Sequence, residues 1–319
     1  MSSSSWFSRV LPDAAIEIGA DRVTVAVVSR RQGNFAVTAH AAESLPAGAV
    51  IPSLTAANIA DRAAVGAALQ RALDRLGVRP RRVALIIPDS AGKVSLVHFD
   101  TVPVRADDLD QLVRWQVRKA APFPVEDASI TYSPGVAVGE SGREFLVITA
   151  RQDVIAEYES VCTSAGLYPG LVDLSTISLL NLFLASGAPA GDWLLVHVRA
   201  DATSIAIMRG ADVIFFGTRA EGEQESLADL VHQTAMYYQD RLSGAGFSRV
   251  LVGGGGRGGT AIDMVRHNLE QRLGLTVESV DPTKIAPCAD RIGTSGELMD
   301  QLGPPVGALV RSFQEGVAA

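Results

Sequence analysis

Ala15-Ile16-Glu17-Ile18-Gly19-Ala20-Asp21-Arg22-Val23-Thr24-Val25-Ala26-Val27-Val28 reads as strand, tight loop, strand. Two apolar runs rich in β-branched residues flank a short polar break at Gly19 to Arg22. The same pattern returns 180 positions later. Ile16-Glu17-Ile18-Gly19-Ala20-Asp21 lies over Val196-His197-Val198-Arg199-Ala200-Asp201, and Val25-Ala26-Val27-Val28 over Ile205-Ala206-Ile207-Met208. One reading is that two β-hairpins share a pattern because hairpins do. The other is duplication, each half opening with a strand–loop–strand unit. Two such loops can face each other across a cleft, where backbone N–H groups can grip a phosphate chain.

Working outward, Phe35 to His40 reads as a third strand. Residues 59–76 show helical spacing, closed by Gly77. Val83 to Pro88 is an apolar strand buried on both faces. Residues 93–172 change rhythm. They hold a strand at Lys93 to Phe99 and a helix with Asp107 and Asp108 in its first turn. The apolar stripe of that helix is Leu109, Leu112, Val113 and Val117, and Pro122-Phe123-Pro124 ends it. Strands at Ala128 to Tyr132 and Glu144 to Thr149 follow, then a helix from Gln152 to Ala165 and a short strand Leu171-Val172-Asp173. After an apolar helix at Ser175 to Ala185 comes the second hairpin. Beyond it are an amphipathic helix over 226–242, strands at Arg249 to Val252 and Leu275 to Val280, and a last helix over 304–317. The expected division is a flexible 1–10, a first subdomain 11–92 completed by 173–190, an inserted α+β unit 93–172, and a second subdomain 191–319.

Composition narrows the class. The chain has 319 residues, 47% hydrophobic and 20% charged, the balance of a globular protein with an ample core. Cys162 and Cys288 are the only cysteines, which excludes a disulfide framework and fits a reducing compartment. No apolar run approaches the roughly 20 residues of a membrane span. The serine run with Trp6 and Phe7 lacks the plan of a secretory signal. A net charge of −7 leaves no electrostatic footprint for nucleic acid. The expectation is a soluble cytoplasmic protein with no nucleic-acid partner.

One motif stands out. Gly253-Gly254-Gly255-Gly256-Arg257-Gly258-Gly259 follows a strand and precedes a helix, matching the dinucleotide fingerprint in two frames. Glu278 stands where the ribose-binding acid belongs. Too few strands follow for a doubly wound domain, so a dinucleotide-binding enzyme is the outlying alternative. The other readings are a turn that lets adenosine approach the backbone, and a tight turn with no ligand. The histidines have no metal-ligand spacing, and neither a nucleophile elbow nor a P-loop occurs.

Taken in order, several stretches resemble the PilM family of type IV pilus assembly proteins. They are Ile16-Glu17-Ile18-Gly19, Ala106-Asp107-Asp108-Leu109 through Ala121-Pro122-Phe123-Pro124, Phe145 to Arg151, Val172-Asp173, Leu179-Leu180-Asn181, and Val250-Leu251-Val252-Gly253-Gly254-Gly255. The chain is more distantly similar to FtsA and to the cytoplasmic part of GspL. The resemblance implies an actin-like α/β fold. Two duplicated subdomains would flank a nucleotide cleft, and 93–172 would be the extra subdomain called 1C. It implies Mg-ATP as cofactor, with Glu17, Gly19, Ala20, Asp21 and Arg22 in the first phosphate loop. His197, Arg199, Asp201 and Thr203 would form the second loop, and Gly253, Gly254, Gly255 and Gly256 the adenosine turn. Glu17 would reach Mg²⁺ through water. It further implies that the groove between 11–92 and 93–172 takes the N-terminal cytoplasmic peptide of a PilN-like inner-membrane protein. That would hold the chain to the inner-membrane complex. Self-association is a further partner expectation.

The loops depart from the family pattern. Its Asp-x-Gly becomes Glu17-Ile18-Gly19 in the first loop and His197-Val198-Arg199 in the second. Asp21 and Asp201 put carboxylates where phosphates would lie. Like charges about 4 Å apart repel by roughly 4 kcal/mol at an effective dielectric near 20, unless Arg22 and Arg199 offset them. The expected function is therefore a pilus-assembly adaptor with weak or absent ATP binding, a pseudo-ATPase. The alternative is a slow actin-like ATPase in the same machinery, with Arg199 pairing to phosphate.

Overall fold

The first quoted stretch folds as β1 (Ala14–Ile18) and β2 (Arg22–Arg31). The computed structural model describes residues 11–31, 34–185, 187, 189–220, 227–254, 259–289 and 296–318. The N-terminal segment 1–10 and glycines 255 and 256 therefore lie outside the described residues.

β3 (Asn34–Ser44), α1 (Arg62–Leu76) and β4 (Arg82–Ile87) follow. α1 starts where the Asp61 side chain accepts from the Ala64 N–H at 2.9 Å and stops at Gly77, φ 71°. Both ends follow the capping rules. β5 (Gly92–Phe99), α2 (Ala106–Arg118), β6 (Ala128–Val138) and β7 (Gly142–Arg151) come next, then α3 (Gln152–Ser164), β8 (Tyr168–Leu174) and α4 (Ser175–Leu184). The second half comprises β9 (Asp192–Val198), β10 (Ala202–Arg209), β11 (Asp212–Ala220), α5 (Leu227–Arg241), β12 (Arg249–Gly253), α6 (Gly259–Leu273), β13 (Val277–Ser279) and α7 (Gly296–Ala318).

The two halves repeat one sheet. Its order is β3-β2-β1-β4-β8 in the first half and β11-β10-β9-β12-β13 in the second. The register repeats too: Ile16 faces Val25 and Ile18 faces Val23, as Val196 faces Ile205 and Val198 faces Thr203. Resemblance between two hairpins does not extend to matching parallel strands further along the chain. Duplication accounts for both. β1 and all of β4 but Arg82 are buried, as parallel strands covered on both faces must be.

Three features differ from the sequence expectation. The separate three-stranded sheet β5-β7-β6 and α2 occupy 92–151, not 93–172. One face of this sheet packs Val97, Phe99, Phe145 and Val147 against Val113 and Val117 of α2. α3 instead buries Val154, Tyr158, Val161 and Cys162 in the core of the first half. β8 pairs in parallel with β4, so its pattern is completed by a strand distant in sequence. Finally, α7 belongs to the first half's core, packing on α4, β1 and β2. Its glycines permit this. A Cβ on Gly303 would lie 2.7 Å from the Leu179 side chain, and one on Gly307 would lie 1.9 Å from the Ser178 carbonyl oxygen.

Candidate functional site: the cleft between the hairpins and the groove beside it

Both hairpin loops close by the same bond. The Gly19 N–H donates to the Arg22 carbonyl and the Arg199 N–H to the Ala202 carbonyl, each at 2.9 Å. The repeat makes Glu17 and His197 equivalent, likewise Gly19 and Arg199, and Asp21 and Asp201. Arg199 therefore puts a long cation where the other loop has no side chain. The guanidinium lies over the first loop, with Nη2 3.4 Å from where a Cβ on Gly19 would be.

Arg199 Nη2 stands 2.8 Å from Glu17 Oε1, with the side chains only 13% and 2% exposed. The Ser175 hydroxyl donates to the same oxygen at 2.6 Å, while Glu17 Oε2 is buried with no hydrogen-bond partner among the described residues. Burial works against the charge on Arg199. Glu17, Asp21, Asp201 and Asp89 outweigh it and raise its pKa above the ordinary value. Breaking such a buried pair by removing one partner costs about 3–5 kcal/mol, because the other charge is stranded. Arg22 bonds Asp21 through Nε at 3.1 Å and Nη2 at 2.8 Å. Burial tends to raise the Asp21 pKa, but Arg22, with help from Arg199, holds it below the usual carboxylate range.

Beneath the pair lies a polar cluster that the sequence reading missed. Asp89, just past the end of β4, accepts from the Thr176 N–H at 2.9 Å, from the Thr176 hydroxyl, and from the Ser204 hydroxyl at 2.7 Å. His197 Nδ1 is 2.7 Å from Thr176 Oγ1. With the hydroxyl proton on Asp89, Nδ1–H is the donor, and the buried Nε2 has no partner among the described residues. Burial, and then the Arg199 charge, push the His197 pKa well below its usual value, so the ring is neutral. Ser90 donates to Asp201 at 2.9 Å. Burial raises the pKa of Asp201 and of Asp89 against these bonds. The available signal was position, an aspartate at the carboxyl end of a buried strand and hydroxyls opening α4.

Of the expected residues, Glu17, Gly19, Asp21, Arg22, His197, Arg199 and Asp201 come together around the cleft. Ala20 is half-buried in the first loop. Strand alternation turns Thr203 to the face opposite His197, so the hydroxyl that β10 brings to the cluster is Ser204. Gly253 ends β12, and Gly254 follows with φ 78°. A Cβ on Gly254 would lie 2.0 Å from the Val198 carbonyl oxygen, so close backbone approach requires glycine there. The acid of the dinucleotide reading, Glu278, is instead bonded by Arg249 at 2.9 and 2.7 Å.

A second feature lies beside the cleft. β8 is the edge of the first sheet and β6 the edge of the small sheet. Between them is a groove of about 380 Å³, lined by Ser129, Thr131, Ile148 and Ala150 of β6 and β7, Ile155 and Glu159 of α3, and Pro169 to Leu174. Its walls are mainly apolar, and Glu159 and Asp173 are its charged members. Asp173 accepts from the Leu174 N–H at 2.8 Å and the Ser178 hydroxyl at 3.0 Å. Burial lifts its pKa to about 6, against the pull of Arg311. Among the described residues no helix is long and apolar enough to cross a membrane, and no group of three or more His, Cys, Asp or Glu could hold a metal ion.

The family described as "Type IV pilus assembly protein PilM" matches residues 15–240. A solved structure titled "PilM-PilN type IV pilus biogenesis complex" superposes with a TM-score of 0.79 at 19% identity, over 96% of this chain and 99% of that one. A Bacteroides thetaiotaomicron protein with an actin-like ATPase fold gives a TM-score of 0.49 at 10% identity, over 86% and 91%. The cytoplasmic domain of EpsL from Vibrio cholerae gives 0.46 at 11%, over 75% and 80%.

Proposed function

This chain belongs to the PilM family of type IV pilus assembly proteins, with the actin-like fold of two repeated halves around a cleft, and from that premise we propose that it is an adaptor. Its groove between β8 and β6 takes the N-terminal cytoplasmic peptide of a PilN-like inner-membrane protein, which holds the chain at the inner face of that membrane. The observation that carries this reading is the groove itself. An extended peptide needs a strand edge to bond and apolar pockets for alternate side chains, and the groove has an edge on each side above aliphatic walls. The similarity to a PilM bound to PilN supports the choice of partner.

The cleft, in this proposal, does not run on nucleotide. Mg-ATP does not fit it as built. The guanidinium of Arg199 covers the first loop, Glu17 is engaged by Arg199 and Ser175, and Arg22 is bonded to Asp21. Asp21 and Asp201 both act on the Arg199 guanidinium. The ATPase alternative requires Arg199 to leave Glu17 and turn to a phosphate, stranding a carboxylate that is 2% exposed.

Calorimetry with a synthetic PilN-type N-terminal peptide tests the adaptor reading. The native chain binds, and Ala150→Arg and Leu171→Arg, each folded by circular dichroism, lose at least tenfold in affinity, equivalent to about 1.4 kcal/mol. Equal affinity in both variants overturns the groove assignment. Micromolar Mg-ATP binding by the native chain overturns the nucleotide-free reading.

A further inference from the structure

We propose that Arg199 is an internal stand-in for a bridging ligand, a tethered cation that ties the two halves together across the cleft so that the closed arrangement needs no nucleotide. This goes beyond the adaptor reading and rests only on its nucleotide-free part.

Arg199 comes from the second half and Glu17 from the first, and the pair is almost fully withdrawn from solvent. Three further polar contacts of the cleft floor cross the same boundary. Ser90 donates to Asp201, Ser204 to Asp89, and His197 meets Thr176. The chain thus places a row of bonds where two lobes of a ligand-run cleft would be joined by their ligand.

Charge points the same way. Glu17, Asp21, Asp201 and Asp89 all act on the one guanidinium. Four acidic side chains converging from two lobes call for a cation, and Arg199 delivers one covalently, at an effective concentration no dissolved ion matches. The duplicated register makes its origin legible, because the equivalent position in the first loop is Gly19. The first loop leaves the space and the second loop fills it. Buried Glu17 Oε2, without a partner among the described residues, marks the carboxylate as larger in hydrogen-bonding capacity than one guanidinium contact uses.

Amide hydrogen exchange on the full chain tests the proposal. In Arg199→Gly, exchange rises at least about tenfold in both hairpins, 14–26 and 194–208, with the small sheet at 92–99 unchanged. Methylguanidinium at millimolar concentration restores protection to Arg199→Gly, with no effect on the native chain or on Arg199→Gly combined with Glu17→Gln. Hairpins that exchange at the native rate in Arg199→Gly overturn the tie, as does a loss confined to the second hairpin or the absence of rescue. If Arg199→Gly fails to fold, Glu17→Gln serves alone. It keeps the side-chain shape and loses the charge, and native-rate exchange of the second hairpin in that variant overturns the proposal. Mg-ATP protection of the native hairpins is a different failure: it removes the nucleotide-free reading, and the exchange of Arg199→Gly without nucleotide still decides the tie.

Discussion

Gly307 of α7 and Ser178 of α4 lie so close that a Cβ on the glycine would stand 1.9 Å from the Ser178 carbonyl oxygen. One turn earlier, a Cβ on Gly303 would meet side-chain ends, Leu179 at 2.7 Å and Val280 at 3.8 Å. α7 thus docks on the first half through bare backbone, and the two glycines differ in what they press against. A backbone carbonyl in a packed helix cannot step aside, but a leucine end can rotate. Gly307→Ala is expected to destabilise the chain by about 2–4 kcal/mol and Gly303→Ala by about 1 kcal/mol or less. Urea denaturation of the two variants checks the ranking. Equal losses would show that α7 shifts as a rigid body.

Asp173 ties stability to pH from beside the groove. Its carboxyl titrates near 6 in the folded chain against 3.8 ordinarily, so the folded state holds the extra proton between those values. Its stabilising contribution is complete below pH 3.8 and is lost as pH rises through 6. Asp173→Asn is expected to be more stable than the native chain at pH 7.5 by on the order of 1–3 kcal/mol, an advantage that disappears by pH 4. Arg311, which favours the charged form, and Asp89, which opposes it, set where in that range the gain falls. Denaturation at four pH values reads the difference, and a gap that does not vary with pH contradicts the assignment.

His197 works in the opposite sense. Buried and neutral, it binds its proton less readily than in the unfolded chain. Its contribution is complete above pH 6.5 and is lost as pH falls below that value. His197→Asn keeps an N–H toward Thr176 and removes the titration. Its stability is expected to fall less steeply from pH 7 to 5, the two slopes differing by up to about 1.4 kcal/mol per pH unit. Parallel slopes would mean that the ring protonates in place.

The groove has its own electrostatic signature. Glu159 and Asp173 are its charged lining residues, so a peptide carrying a basic residue beside its apolar anchors should bind more weakly as salt rises. Glu159→Gln is expected to flatten that dependence and to leave thermal stability within about 0.5 kcal/mol of native. Titrations at two ionic strengths on native and variant chains measure it.

Much of the fold was legible because it is local. Alternation over 15–28 and 195–208 sets which residues face the core, and a four-residue turn sets the register, so both hairpins follow from short-range pattern alone. The stop at Gly77, the stripe of α2 and the buried run of β4 are local in the same sense. α3, β8 and α7 were assigned to the wrong neighbours because an apolar stripe states that it must be covered and not by what. Tyr168 to Leu174 needed β4, and α7 needed the backbone of α4.

The site divides along the same line. By itself the sequence determined that the loops depart from a phosphate-binding pattern, since Glu17, Arg199 and the two loop aspartates can be read as charges, and His197 as an imidazole, at known positions. Only the tertiary structure decided that those charges answer one another. Arg199 meets Glu17 because the duplicated hairpins converge at the cleft. Asp89, Thr176 and Ser204 share protons there because three segments remote in sequence end at one point. Periodicity fixes the direction of a side chain relative to its own strand, whereas a buried ion pair depends on the distance between two backbones that no local pattern encodes.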